Sequence, residues 1–282
     1  MTYCESHHFV PASYFKPWCA ANGKLLYFVW RENRLDSDYA NPKFIAKEHN
    51  LYSLHGAPSE MKNAVEIDFF TKIDNIGAVT HKKLVSNNTI SLTHVERHQW
   101  ATYLMALRAR TPEAIANARK LGSVGVREAL RQNPDEYKAI KPAGAPDTVE
   151  ECIEPWFLEN FGISQVIPKV IYNKDISKAI VSMYWYCQDF SDCSLDLLTC
   201  DRPLIWHKGV QDKDFFLALP LSPKTVFFVV KNKKTWEKLC NLSLLEFAKK
   251  INESIVSNTF KYVYANNDSA KSFIEELRLD RS

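Results

Sequence analysis

Several familiar signals are missing from this chain, and each absence closes a class of function. Its longest apolar runs, such as Val181–Cys187, fall far short of the ~18 residues that span a bilayer, so no membrane partner is expected. The N-terminus, MTYCESHH, lacks the basic-then-apolar pattern of a secretory leader, and a cytoplasmic location is expected. No Cys-x-x-Cys pair occurs among Cys4, Cys19, Cys152, Cys187, Cys193, Cys200 and Cys240, which removes the zinc-ribbon and thioredoxin readings. With no export signal these thiols should be reduced, several of them buried as small hydrophobes. There is no phosphate-binding P-loop, no dinucleotide fingerprint and no nucleophile elbow. No internal repeat is visible.

What remains is an ordinary globular composition: 282 residues, 46% hydrophobic and 24% charged. This excludes wholesale disorder, collagen and coiled coil. The net charge of +3 is too small to imply nucleic acid by itself. Its distribution says more. Seven basic residues face two acidic ones between Arg97 and Arg131, and eight acidic face three basic between Glu150 and Cys200. The basic stretch prefers arginine, which suits bidentate capture of phosphate or carboxylate. A solvated helix face beside an acidic neighbour explains the same pattern.

The pattern predicts an α+β fold, with a helical middle portion packed against a mainly antiparallel sheet built from the N-terminal strand and the C-terminal third. Lys24–Arg31 reads as a strand, residues 32–57 as irregular, and Glu60 to about Leu84 as a helix with Val65, Phe69, Ile73 and Ile76 on one stripe. Thr93-x-x-Glu96 is a capping box opening a helix that buries Trp100, Leu104 and Leu107. Pro112 should end it near Arg110. A second helical stretch runs to about Gly122 and a shorter one from Val124 to Arg131, with Gly122-Ser-Val-Gly125 as the break. Residues 133–147, with three prolines, read as a loop within a single domain of 1–282. Met183–Cys187, Leu195–Cys200, Phe215–Leu219 and Thr225–Val230 read as strands. Ser243-x-x-Glu246 caps a helix to about Ser257, followed by the extended KYVYA and a helix from Ser269.

Two strings look like motifs and fail. His94-x-Glu96-x-His98 places its Glu ~200° round the helix from His94, so it cannot act on a water at a metal shared by the histidines. Asp135-Glu136-Tyr137-Lys138 carries a nuclease-like E-x-K string, but in a proline-rich loop instead of on adjacent strands.

Four segments survive: Ser6-His7-His8-Phe9-Val10-Pro11, Arg108-Ala-Arg110-Thr-Pro112, Thr199-Cys200-Asp201-Arg202-Pro203 and Pro220-Leu-Ser-Pro223. If the first is extended, His7 and His8 point to opposite faces. Together, in this order, the segments resemble the domain of unknown function 4238 family, whose members open with a His-His-Tyr-Val-Pro type motif. Ala46–Tyr52 and Val65-Glu66 resemble two further motifs, and the match runs to about Ala265. Phe9 stands for the family's Tyr, and Cys200-Asp201-Arg202 for a more usual Ser-Asp-Asn/His. The resemblance implies a bacterial protein associated with mobile or defence-related genes. It also implies a late Asn-bearing helix, matched by Asn252, and carries over no activity.

His8, Arg110 and Asp201 adjoin apolar segments, and a charge taken inside unpaired costs several kcal/mol. If inside, they should meet one another. Such a trio suits hydrolysis of a phosphodiester in a nucleotide or nucleic acid: His8 as acid or base, Arg110 holding phosphate, Asp201 orienting the His or binding a divalent metal. His7, Arg108, Glu66 and Asn252 are candidate ligand-binding residues, with Glu66 reading first as a boundary residue of its helix. Two alternatives stay open. One is a non-catalytic sensor or binding module for an anionic ligand or partner protein. The other is an internal ion pair that merely fixes the helix–strand junction.

Overall fold

The computed structural model describes residues 6–32, 34–87, 92–132 and 134–279. In chain order these form β1 (Ser6–His8), β2 (Leu25–Arg31), β3 (Arg34–Ala40), β4 (Lys47–His49), α1 (Thr71–Asn87), α2 (His94–Ala109), α3 (Pro112–Arg131), α4 (Pro134–Ile140), α5 (Pro155–Phe161), α6 (Ile167–Ile171) and α7 (Lys174–Ser182). There follow β5 (Tyr184–Asp189), β6 (Thr199–Cys200), β7 (Ile205–His207), β8 (Phe216–Ser222), β9 (Thr225–Val230), α8 (Lys233–Cys240), α9 (Leu244–Asn258), β10 (Tyr262–Ala265) and α10 (Ala270–Leu279). The fold is α+β, with antiparallel sheets and helices packed on them. No described helix is long and apolar enough to cross a membrane. The six cysteines among the described residues are free thiols, and Cys4 lies outside those residues.

Two four-stranded sheets carry the architecture, ordered β3-β2-β10-β6 and β5-β9-β8-β7, with β1 and β4 forming a separate ribbon. The N-terminal strand β2 pairs with the C-terminal β10, Phe28 opposite Val263, as the expected fold class requires. Strands β8 and β9 are apolar at almost every position because both faces are covered. Leu217, Leu219, Phe227 and Val229 join the core that holds Trp100 and Leu104 of α2. Their alternate neighbours Ala218, Val226 and Phe228 join a second core with Phe247 and Ile251 of α9.

Where the structure departs from the sequence reading, local physics explains it. Residues 32–57 are not irregular: β3 and β4 lie there. Strand β3 is polar and forms the sheet edge, so it lacks the apolar alternation that reveals strands. Helix α3 runs unbroken through Gly122, and what Gly122 provides is close approach: an added Cβ would lie 2.3 Å from Gly162 Cα. The proline-rich stretch contains α4, started by Pro134 with Asp135 and Glu136 in its first turn. Only Thr199–Cys200 of the expected Leu195–Cys200 strand pairs.

The largest departure precedes α1. Val65–Phe70 forms a π turn, in which the Thr71 N–H donates to the Glu66 carbonyl five residues back. The wider turn rotates everything after it. Val65 and Ile73 are buried as expected, but Phe70 is buried in place of Phe69, which is half-buried, and Ile76 is exposed. Gly77 then sits where a Cβ would strike the Tyr103 ring, so α1 and α2 pack face to face.

Candidate functional site

The sequence-predicted residues separate into two regions. Asp201 ends β6, and its carboxylate accepts the backbone N–H groups of Phe260, Lys261 and Tyr262 at 2.7–2.9 Å. Burial raises its carboxyl above the ordinary range and those three amides oppose the rise. Much of this region is likewise engaged, although the Tyr264 hydroxyl and Arg202 Nε are buried without a partner among the described residues. The Tyr14 hydroxyl lies 2.8 Å from Thr199 Oγ1 and donates to the Pro220 carbonyl. Trp18 donates to the Leu197 carbonyl. His81 Nε2 reaches the Leu221 carbonyl at 2.8 Å, at a strand irregularity where Pro220 needs no amide partner. Asn252 accepts the Leu198 N–H and donates to the Asp196 carbonyl. Asn252 therefore clamps a loop.

The expectation that Arg110 would meet Asp201 is corrected. Arg110 is 0% exposed at the end of α2, and its Nη1 donates to Asp74 Oδ1 at 2.7 Å. Asp74 follows Phe70 by one turn of α1, on the face that meets α2. Burial works against the Arg110 charge, but Asp74, Tyr52 and Tyr103 outweigh it and keep the guanidinium protonated. Burial likewise pushes Asp74 up, and Arg110 restrains it.

The backbones of His8 and Arg110 come together. The Tyr52 hydroxyl lies 3.1 Å from the Arg110 carbonyl and 3.3 Å from the His8 carbonyl, so one buried phenol holds both backbones. His7 positions that phenol: its Nδ1 accepts the Tyr52 N–H at 2.9 Å, and its ring stacks parallel to the Tyr52 ring. As expected for an extended segment, His7 faces inward and His8 toward the other side. His7 is thus a support for Tyr52. Ala46 carries a left-handed backbone (φ 47°), and its carbonyl takes the Phe9 amide.

Glu66, on the π turn, completes the group. Burial pushes its carboxyl up to about 7, with Arg110 opposing and Asp74 adding to the rise. His8 is lowered by burial and by the Lys47 charge opposite it in the β1–β4 ribbon, while the Lys43 and Pro42 carbonyls favour its protonated form. Four atoms here are buried without a hydrogen-bond partner among the described residues: His8 Nε2, Glu66 Oε2, Arg110 Nε and Arg110 Nη2. Nε and Nη2 form the side of a guanidinium that grips an oxyanion with two parallel bonds. A cleft of 330 Å³ opens on the Asp201 side, and none of His8, Tyr52, Glu66, Asp74 and Arg110 lines it. Its lining includes Phe9 next to His8, Lys47, Pro112 and Asp201.

Arg108 leaves α2 on another side, its guanidinium 4.0 Å over the Trp206 ring. Glu96 has the capping role read from sequence, accepting from Thr93 and pairing with Lys83. No group of three or more His, Cys, Asp or Glu side chains among the described residues is placed to hold a metal. The Asp201 carboxylate considered for a divalent ion is occupied by three backbone amides. Sequence reasoning missed Asp74 and Tyr52. A carboxylate one turn after Phe70, on a packed helix face, was the available signal for Asp74.

A family model described as protein of unknown function (DUF4238) matches residues 6–269, and the chain belongs to that family. No curated protein and no solved structure matches it.

Proposed function

We propose that this member of the DUF4238 family hydrolyses a phosphate ester of a nucleotide or nucleic acid. The Nε–Nη2 side of Arg110 would hold the non-bridging oxygens. The observation that carries the reading is that buried fork, unpartnered among the described residues, whose charge acts on Glu66 and, more weakly, on His8, each with an unpartnered atom of its own. A guanidinium side left open in an interior forgoes ~1–3 kcal/mol per group unless something binds there. Water attacks phosphorus and passes its proton to His8 Nε2, on a ring that burial and Lys47 bias toward the neutral form. The phosphorus–oxygen bond to the leaving group breaks, and that oxygen takes a proton from Glu66 Oε2. An acid poised at about 7 suits proton transfer at neutral pH. Asp74 acts as a positioning residue by holding Nη1. A defence role against foreign nucleic acid would follow from such a substrate.

The test is hydrolysis of bis(p-nitrophenyl) phosphate and of a single-stranded oligonucleotide by the whole chain. Turnover that falls at least ~100-fold in His8→Gln and Glu66→Gln, with circular dichroism unchanged, supports it. The complete burial of Arg110 favours a second reading, a sensor that binds a phosphorylated ligand without turnover. Phosphate that raises the melting temperature, in an Arg110-dependent way and without hydrolysis, selects that reading. Absence of both turnover and phosphate binding overturns both.

A further inference from the structure

The two arginines of the Arg-Ala-Arg-Thr-Pro segment part company at the end of α2. Arg110 turns in to Asp74. Arg108 turns into a separate cavity of 260 Å³ lined by Leu107, Thr111, Arg202, Leu204, Trp206 and Asn258. We propose that this second cavity is a phosphate-binding subsite in which Arg108 and Arg202 grip the oxyanion. Both guanidiniums lie over aromatic rings, Arg108 at 4.0 Å from the Trp206 centroid and Arg202 at 4.9 Å from that of Phe260. Stacking fixes the plane of a guanidinium and leaves its edge for planar, two-point contacts.

The charges are not balanced within the cavity. Arg202 pairs with Glu113, and its Nε is buried without a partner among the described residues. Arg108 pairs with no carboxylate among the described residues. Burial alone lowers its pKa, with no anion to offset the loss of hydration. One positive charge is thus left over after Glu113 is counted. Thr111 adds a second attraction. It is the N-cap of the 20-residue helix α3, so the positive end of that helix abuts the cavity. The remaining polar wall, Asn258, is fixed by donation to the Arg202 and Leu204 carbonyls.

The ligand chemistry is a phosphate group, free or as part of a polynucleotide backbone. The subsite stands on its own observations, independent of the hydrolase reading at Arg110. The cavities on the two sides share the Thr111–Pro112 and Asp201–Arg202 segments as a common wall, so a strand crossing that wall would present phosphates to both.

The experiment is isothermal titration at low salt with inorganic phosphate, and then with a short deoxythymidine oligonucleotide. Wild type, Arg108→Gln, Arg108→Lys and Arg110→Met are compared. Phosphate binding that weakens at least ~10-fold in Arg108→Gln, is partly restored in Arg108→Lys and survives in Arg110→Met supports the subsite. Phosphate binding that Arg108→Gln leaves unchanged overturns it, even if Arg110→Met abolishes binding and so upholds the site at Arg110. Binding that depends on Arg108 alone upholds the subsite while the Arg110 reading fails. If the oligonucleotide is the natural source, Arg108→Gln also reduces the slope of log K against log salt by ~0.7. If free phosphate is the source, the phosphate effect appears without that change of slope.

Discussion

Asp201 and Arg110 are both fully interior charges at the ends of regular elements, yet their surroundings are opposite. Asp201 has three backbone amides on its carboxylate, and its neighbours Thr199, Tyr14 and Asn252 are likewise engaged. Arg110 has one carboxylate on one nitrogen and two nitrogens with nothing, beside similarly open atoms of Glu66 and His8. Buried polar groups are nearly always satisfied, so the open atoms of Arg110, Glu66 and His8 call for a cause more than the single ones of Tyr264 and Arg202 near Asp201 do. The contrast teaches that an uncommon residue in a motif marks burial first. Only the state of its hydrogen bonds separates a structural clasp from a site awaiting a ligand.

That contrast can be broken or sharpened by substitution. The largest effect is expected at Asp201→Ala, which strands three amides and should cost ~3–5 kcal/mol in urea unfolding. Wild-type stability in this variant would erase the distinction. Arg110→Met leaves Asp74 buried without its cation, and ~3 kcal/mol should be lost at pH 7, less at pH 5 where Asp74 can take up a proton. A comparable effect concerns Glu66. Its folded pKa lies above its unfolded one, so the native state holds the extra proton and stability declines as pH rises from about 4.5 through about 7. Glu66→Gln should remove ~3 kcal/mol of that decline, read from melts across pH 4–8. The smallest expected change is Ser243→Ala, a capping-box residue of α9 outside both regions, at ~1 kcal/mol with no effect on phosphate binding.

Much of the fold was legible because it follows local rules. The capping boxes at Thr93 and Ser243 set the starts of α2 and α9, and Pro112 set the end of α2. The double-faced burial of β8 and β9 announced itself as unbroken apolar runs. Illegible were features that depend on partners distant in sequence. The polar edge strand β3 exists because β2 pairs with it. Gly122 continues a helix because Gly162 lies against it. The π turn at Val65–Phe70 shifts a stripe by one residue, and no periodicity predicts that. Of the candidate site, the structure joins the backbones of His8 and Arg110 through Tyr52. The ion pair with Asp74 and the Tyr52 bridge were not foreseen, since each joins elements that only the tertiary fold brings together.

The central claim is that the Arg110 pair serves binding rather than stability. Replacing a buried ion pair by apolar groups of similar volume is often neutral or stabilising, by ~1–4 kcal/mol. Urea unfolding of Arg110→Met/Asp74→Leu, run beside phosphate titration of the same protein, tests the claim directly. The account predicts stability equal to or above wild type, with the Arg110-dependent phosphate binding abolished. A double variant several kcal/mol less stable than wild type, with that binding intact, would contradict it.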